Sequence, residues 1–152
     1  MTAPWQAAPV LRRAHWVYLV GAISNWLVTV PAFLFYDRYV DAFIDVRPNY
    51  PALVWIWSGM AFLWGVAFFE ISRDPLAAYP LVKYSWLEKI VTSSSILVGW
   101  MMGDVPARLV IGVVFTDMIW IPLFIWVHLG LRPLARSART SRPEQEQRDA
   151  TA

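Results

Sequence analysis

The chain has 152 residues, 58% of them hydrophobic and 16% charged, whereas ordinary soluble domains carry nearer ~25% charge; the composition is that of a single integral membrane domain. With no cysteine, disulfides, thiolate metal sites, iron–sulfur clusters and thiol redox chemistry are excluded. The formal charge of +2 gives no reason to expect nucleic acid as a partner, because the basic excess falls in a tail where membrane topology explains it.

Residues 1–13 form a short N-terminal segment, expected to be cytosolic, that ends in Arg12-Arg13. An arginine pair before an apolar stretch resembles a secretory leader. The apolar run over 14–36 is longer than the ~7–15 residues of a leader core, however, and Asp37-Arg38-Tyr39 offers no small-residue cleavage site. Residues 14–36 are therefore predicted as the first transmembrane helix, with His15 at its start, Asn25 near its middle and Pro31 toward its end. A mild kink is expected at Pro31, since neighbouring helices can satisfy the carbonyl it frees. Over 37–50, Asp37, Arg38, Asp41, Asp45 and Arg47 alternate with Tyr39, Val40, Phe43 and Ile44. This is the pattern of a polar loop with one amphipathic turn lying in the interface, a substrate lid being the alternative. The second helix is predicted over 52–71; just beyond it, in Glu70-Ile71-Ser72-Arg73-Asp74-Pro75, Pro75 cannot continue a helix.

The third helix, 83–102, is the least apolar, because Glu88 and Lys89 lie inside it. Tyr84, Glu88 and Thr92 share one face and Ser85, Lys89 and Ser93 form the adjacent stripe, so one side must meet protein. Ser93-Ser94-Ser95 fits that side, because small hydroxyl residues let helix backbones approach in lipid. Gly103-Asp104-Val105-Pro106 reads as a tight turn, and the fourth helix as 109–131. Residues 132–152 are charged and poor in apolar side chains, and are expected to be a disordered cytosolic tail. The fold class is all-α, a membrane-embedded four-helix bundle over 14–131. Nine basic residues (Arg12, Arg13, Arg73, Lys83, Arg132, Arg136, Arg139, Arg142, Arg148) fall on one side of these spans and three (Arg38, Arg47, Arg108) on the other. The positive-inside rule then predicts a multi-pass protein of a bacterial inner membrane with both termini cytosolic.

Within such a bundle the polar residues are the candidates for chemistry. Asp117 interrupts the fourth span, where an ionised carboxylate costs several kcal/mol unless it is partnered. Asn25 reaches similar depth on the first span, so a direct Asn25–Asp117 hydrogen bond is expected. His15, Glu70, Arg73, Asp74, Lys83, Glu88, Lys89 and His128 are expected together at the cytosolic end, with Glu70 or Glu88 neutralising Lys89. The same residues also suit an ion-pair network that only fixes packing and topology. Asp117 and His128 lie about 16 Å apart along one helix, too far to act as a dyad. No cofactor is predicted; the arrangement to check is axial ligation of haem by His15 and His128, which share a depth, although a histidine at a helix end serves equally as an interfacial residue.

Ser72-Arg73-Asp74-Pro75 after an apolar helix, a lysine early in the next helix, and Thr116-Asp117-Met118-Ile119-Trp120-Ile121-Pro122-Leu123-Phe124 together resemble small bacterial four-helix integral membrane proteins, loosely DoxX-like in size and layout. The resemblance covers 69–124. It implies the architecture and importance for Arg73, Asp74, Lys89, Asp117 and Trp120, with Glu88 before Lys89 a local departure, and it implies no reaction. The leading expectation is a non-catalytic accessory subunit or a binder of a lipophilic molecule, with membrane lipid, a second copy or a membrane protein as partner. One alternative is a membrane enzyme acting on a lipid, quinone or terpenoid, with Glu88 or Asp117 as general acid or base beside Lys89 or His128. A second is a proton-coupled carrier working as a homodimer. A packed ion network without a pocket favours the accessory role, whereas a lipid-accessible pocket lined by Glu88, Asp117 and aromatic rings favours chemistry.

Overall fold

The computed structural model describes residues 8–43 and 51–150, and every regular element among them is helical. In chain order these are α1 (Pro9–Leu34), α2 (Tyr36–Phe43), α3 (Pro51–Arg73), α4 (Tyr79–Met101) and α5 (Ala107–Ala150). Among the described residues, three helices are long and apolar enough to cross a membrane: α1, α3 and the 107–138 part of α5. Helix α4 is as long as α3 but carries Lys83, Glu88 and Lys89, which take it below that apolarity.

The helices pack as two antiparallel pairs. In one, α1 runs against α3, so that His15 meets Ser72 and Asn25 meets Ala61; in the other, α4 runs against α5, so that Tyr79 meets His128 and Ser93 meets Asp117. The pairs join chiefly where α1 meets α5 and α3 meets α4. Helix α1 presents one stripe to the bundle, Leu11, Ala14, Tyr18, Ala22, Thr29 and Ala32, all buried at three-, four- or seven-residue spacing.

The main core occupies the half of the bundle nearest the start of α1. Tyr18 stacks on Phe124 with ring centroids 4.9 Å apart and planes 4° from parallel, and Phe68 tilts against both rings. Glycine at position 21 is what lets α1 come this close, because a Cβ there would stand 3.3 Å from the Phe124 ring. The Tyr18 hydroxyl is satisfied by Ser85 Oγ at 2.7 Å, and Ser85 donates in turn to the Val82 carbonyl. A smaller apolar cluster of Ala32, Tyr39 and Val54 closes the opposite end.

Besides the start of α4 at Tyr79 rather than at residue 83, three boundaries differ from the sequence expectations. Helix α1 begins earlier than residue 14, because Pro9 suits the first helical turn and Leu11 is buried in the main core. The segment after Leu34 folds as the two-turn helix α2 rather than as a loop with a single turn, since Tyr39 and Val40 bury while Asp37, Arg38 and Asp41 stay exposed; residues 44–50 lie outside the described part. Helix α5 continues past Leu131, where the tail was expected to be disordered, because Leu131, Leu134 and Ala135 prolong its apolar stripe beside Ala8 and Val10 at the start of α1.

Candidate functional site

Beyond the aromatic core, about 10 Å further along α5, the four long helices diverge around a cavity of about 270 Å³. Its polar lining is Ser24, Asn25 and Thr29 from α1, Glu88, Lys89 and Thr92 from α4, and Thr116 and Asp117 from α5; Leu27, Val28, Trp57, Val113 and Trp120 supply apolar and aromatic wall. Leu27 and Val28 are also exposed on the outside of the bundle, so the cavity opens between helices rather than being sealed.

Lys89 stands at the centre. Its Nζ lies 3.2 Å from Asp117 Oδ1 and 3.4 Å from Glu88 Oε2, donates to Asn25 Oδ1 at 3.4 Å, and lies 5.9 Å from the centroid of the Phe68 ring. Three oxygens, two of them from carboxylates, surround the ammonium, which is how a lysine only 5% exposed can remain in an apolar bundle. Each oxygen is fixed by a second bond or by the helix that carries it. Asn25 Nδ2 donates to the Ala61 carbonyl at 3.0 Å, which turns the amide oxygen toward Lys89. Ser93 Oγ donates to Asp117 Oδ2 at 3.5 Å and Thr92 Oγ1 to Glu88 Oε1 at 3.3 Å. Glu88 Oε2, though beside Lys89, is buried and receives no hydrogen bond. The local sequence explains the placement: Val82, Ser85, Lys89 and Ser93 are the buried stripe of α4, and Asp117 and Phe124 fall seven residues apart on one face of α5.

This geometry replaces the expected direct bond between Asn25 and Asp117 with a bridge through Lys89. Glu88 does pair with Lys89, but Glu70 does not. Glu70 pairs with Arg73 at 3.4 Å with both side chains mostly exposed, an interaction worth little in water. The expected single cluster at one end of the bundle is therefore divided. Asp74 accepts from the backbone N–H of Leu76 and Ala77 and so caps the turn after α3. Lys83 sits 4.7 Å from the centre of the Tyr84 ring. His15 Nδ1 meets the Ser72 carbonyl at 2.9 Å, in the last turn of α3, where helix carbonyls lack intrahelical partners. His128 takes the Trp86 indole N–H on Nδ1 at 3.3 Å and has Tyr79 Oη 3.4 Å from Nε2. The two histidines turn to different helices, His15 to α3 and His128 to α4. Of Ser93-Ser94-Ser95, Ser93 alone is buried.

Sequence reasoning missed Trp57, Ala61 and the Tyr18–Ser85 bond. A signal existed for the first two: Trp57, Ala61, Gly65, Phe68 and Ser72 follow one another at three- and four-residue spacing on α3, opposite the α1 stripe. In uniformly apolar α3 that stripe does not stand out by hydropathy. No protein-family model matches this chain, and neither does any curated protein or any solved structure. Its chemistry is read from the geometry.

Proposed function

We propose that this is a multi-pass bacterial inner-membrane protein, with both termini cytosolic, whose four long helices form a bundle that binds a lipophilic small molecule in the mid-bundle cavity. The observation that carries the reading is that one cavity joins an ion cluster, Glu88–Lys89–Asp117, to walls of Trp57, Trp120, Leu27 and Val28. Such a combination of apolar wall and a few convergent polar groups is typical of ligand sites. Inclusion of α4 among the spans is supported by the pairing of Lys89 with two carboxylates, which removes most of the expense of placing its ammonium in hydrocarbon. The basic-residue asymmetry supports the orientation. The DoxX-like resemblance supports the layout and Asp117, Lys89 and Trp120 as site residues; Arg73 and Asp74 serve the surface and the turn.

Native mass spectrometry of the full chain released from gentle detergent tests this reading. The parent is expected to retain a lipophilic adduct that Ala61→Leu, which fills the cavity from α3, does not. A parent that flies bare, or an adduct indifferent to Ala61→Leu, would refute it.

A second reading is favoured by Glu88, a carboxylate that lines the cavity and whose Oε2 receives no hydrogen bond beyond its pairing with Lys89. In that reading Glu88 or Asp117 moves a proton on a bound lipid, quinone or terpenoid. His128, held by Trp86 and Tyr79 away from the cavity lining, takes no part. Glu88→Gln would then keep the adduct and lose turnover.

A further inference from the structure

We infer that the cavity selects a lipophilic amine, a protonated nitrogen on a body of about one ring, an inference that rests on the ligand-binding reading and adds the charge class of the ligand. The charged side chains lining the cavity are Glu88, Lys89 and Asp117, two carboxylates to one ammonium, so the site carries one surplus negative charge when all three are ionised. The threonine, Ser93 and Asn25 donors around those carboxylates are already engaged by the protein itself. Thr92 donates to Glu88 and Ser93 to Asp117. Thr116 Oγ1 bonds back to the carbonyls of Gly112 and Val113, and the Asn25 amide donates to Ala61. Glu88 Oε2, by contrast, receives no hydrogen bond and has the Lys89 ammonium 3.4 Å away as its ion-pair partner. A ligand that brings its own N–H donors and a positive charge completes this site, whereas an anion meets repulsion.

The walls agree with that assignment. Trp57 and Trp120 line the same space, and indole rings attract cations over their faces. A 150 Å³ apolar cavity holds benzene, so about 270 Å³ takes one ring with a short amine-bearing chain and excludes a bulky multi-ring cation.

The test titrates the purified full chain in detergent with three probes of matched shape, phenylbutylamine, phenylbutanol and phenylbutyrate, reading tryptophan fluorescence. The amine is expected to bind about tenfold or more tightly than the alcohol, as a hydrogen bond to a charged group allows, with the carboxylate weakest. Glu88→Gln and Asp117→Asn, which each remove the surplus charge, are expected to bring the amine-to-alcohol ratio close to one. Equal binding of amine and alcohol, or tighter binding of phenylbutyrate, overturns the charge assignment and leaves the ligand-binding reading standing. Failure of all three probes to bind also overturns the amine assignment, and the native mass spectrum then decides separately whether the cavity holds another lipophile. If neither variant folds, the order of the three probes on the parent still decides.

Discussion

Replacing Lys89 by methionine tests the ion cluster most directly, because methionine has nearly the same length and keeps the apolar contacts of the stem. The substitution leaves Glu88 and Asp117, which flank Nζ at 3.4 and 3.2 Å, with no counter-charge in a buried site. Removing one partner of a buried pair costs about 3–5 kcal/mol. Asp117→Asn is the informative control, since Lys89 then keeps Glu88 and Asn25 and the site becomes neutral; its cost is that of a hydrogen bond to a charged group, about 1.5–3 kcal/mol. On the scale of roughly 2–4 °C per kcal/mol for a domain of this size, Lys89→Met should melt about 10–15 °C below the parent and Asp117→Asn about half as far below it. Tryptophan fluorescence in detergent reads both transitions. The combination of Lys89→Met, Glu88→Gln and Asp117→Asn should melt above Lys89→Met alone, because no uncompensated charge remains. If Lys89→Met melts within ~3 °C of the parent, a shift smaller than even one lost charged hydrogen bond should produce, the ammonium is reaching water and the three-oxygen cage is wrong.

Ser58 is completely buried, and its hydroxyl has no hydrogen-bond partner among the described residues; Ser58→Ala should therefore raise the melting temperature, by about 1 kcal/mol of relieved desolvation, and a fall would reveal an acceptor. At Gly65 a Cβ would stand 2.5 Å from Trp26 Nε1, so Gly65→Ala must displace the indole and its bond to the Phe62 carbonyl. The expected loss is about 1–3 kcal/mol, and unchanged melting would show that the ring yields freely. A reporter joined after Ala152 should be active only in its cytosolic form, since nine flanking basic residues oppose three; periplasmic activity would invert the topology.

The helical fold was legible because long apolar runs bounded by Pro75 and by Gly103 to Pro106 leave few alternatives. Helix α2 was only half legible: its charges marked an interface, but the burial of Tyr39 beside Ala32 and Val54 is tertiary. Asp117, Asn25, Glu88 and Lys89 were each legible as polar residues in an apolar run. Their joint arrangement was not, because depth along an axis specifies how far in a side chain lies and not which way it faces. That is why Glu70 and His128 entered the same expected cluster. Rotation about each helix is set by stripes such as Tyr18 against Phe124, and in helices as uniformly apolar as α3 the sequence period that would reveal such a stripe is nearly absent.

The placement of the cavity beside the main core, rather than within it, has a consequence for how stability and binding can be separated. Tyr18, Phe68, Phe124 and Ser85 hold the two helix pairs together through ring packing and one buried hydrogen bond, and none of these four residues lines the cavity. The ion cluster lies about two turns along α5 from Phe124, where Trp120 contacts both regions by stacking on Phe124 at 5.5 Å while lining the cavity. Substitutions in the ring cluster should thus lower stability with little change in ligand preference, while Glu88→Gln should change preference with a smaller effect on melting. Trp120 couples the two. Trp120→Phe keeps an aromatic ring against Phe124 but shortens the wall, so it should weaken binding and lower the melting temperature together. A variant that changed only one of the two would place the ligand elsewhere than against Trp120.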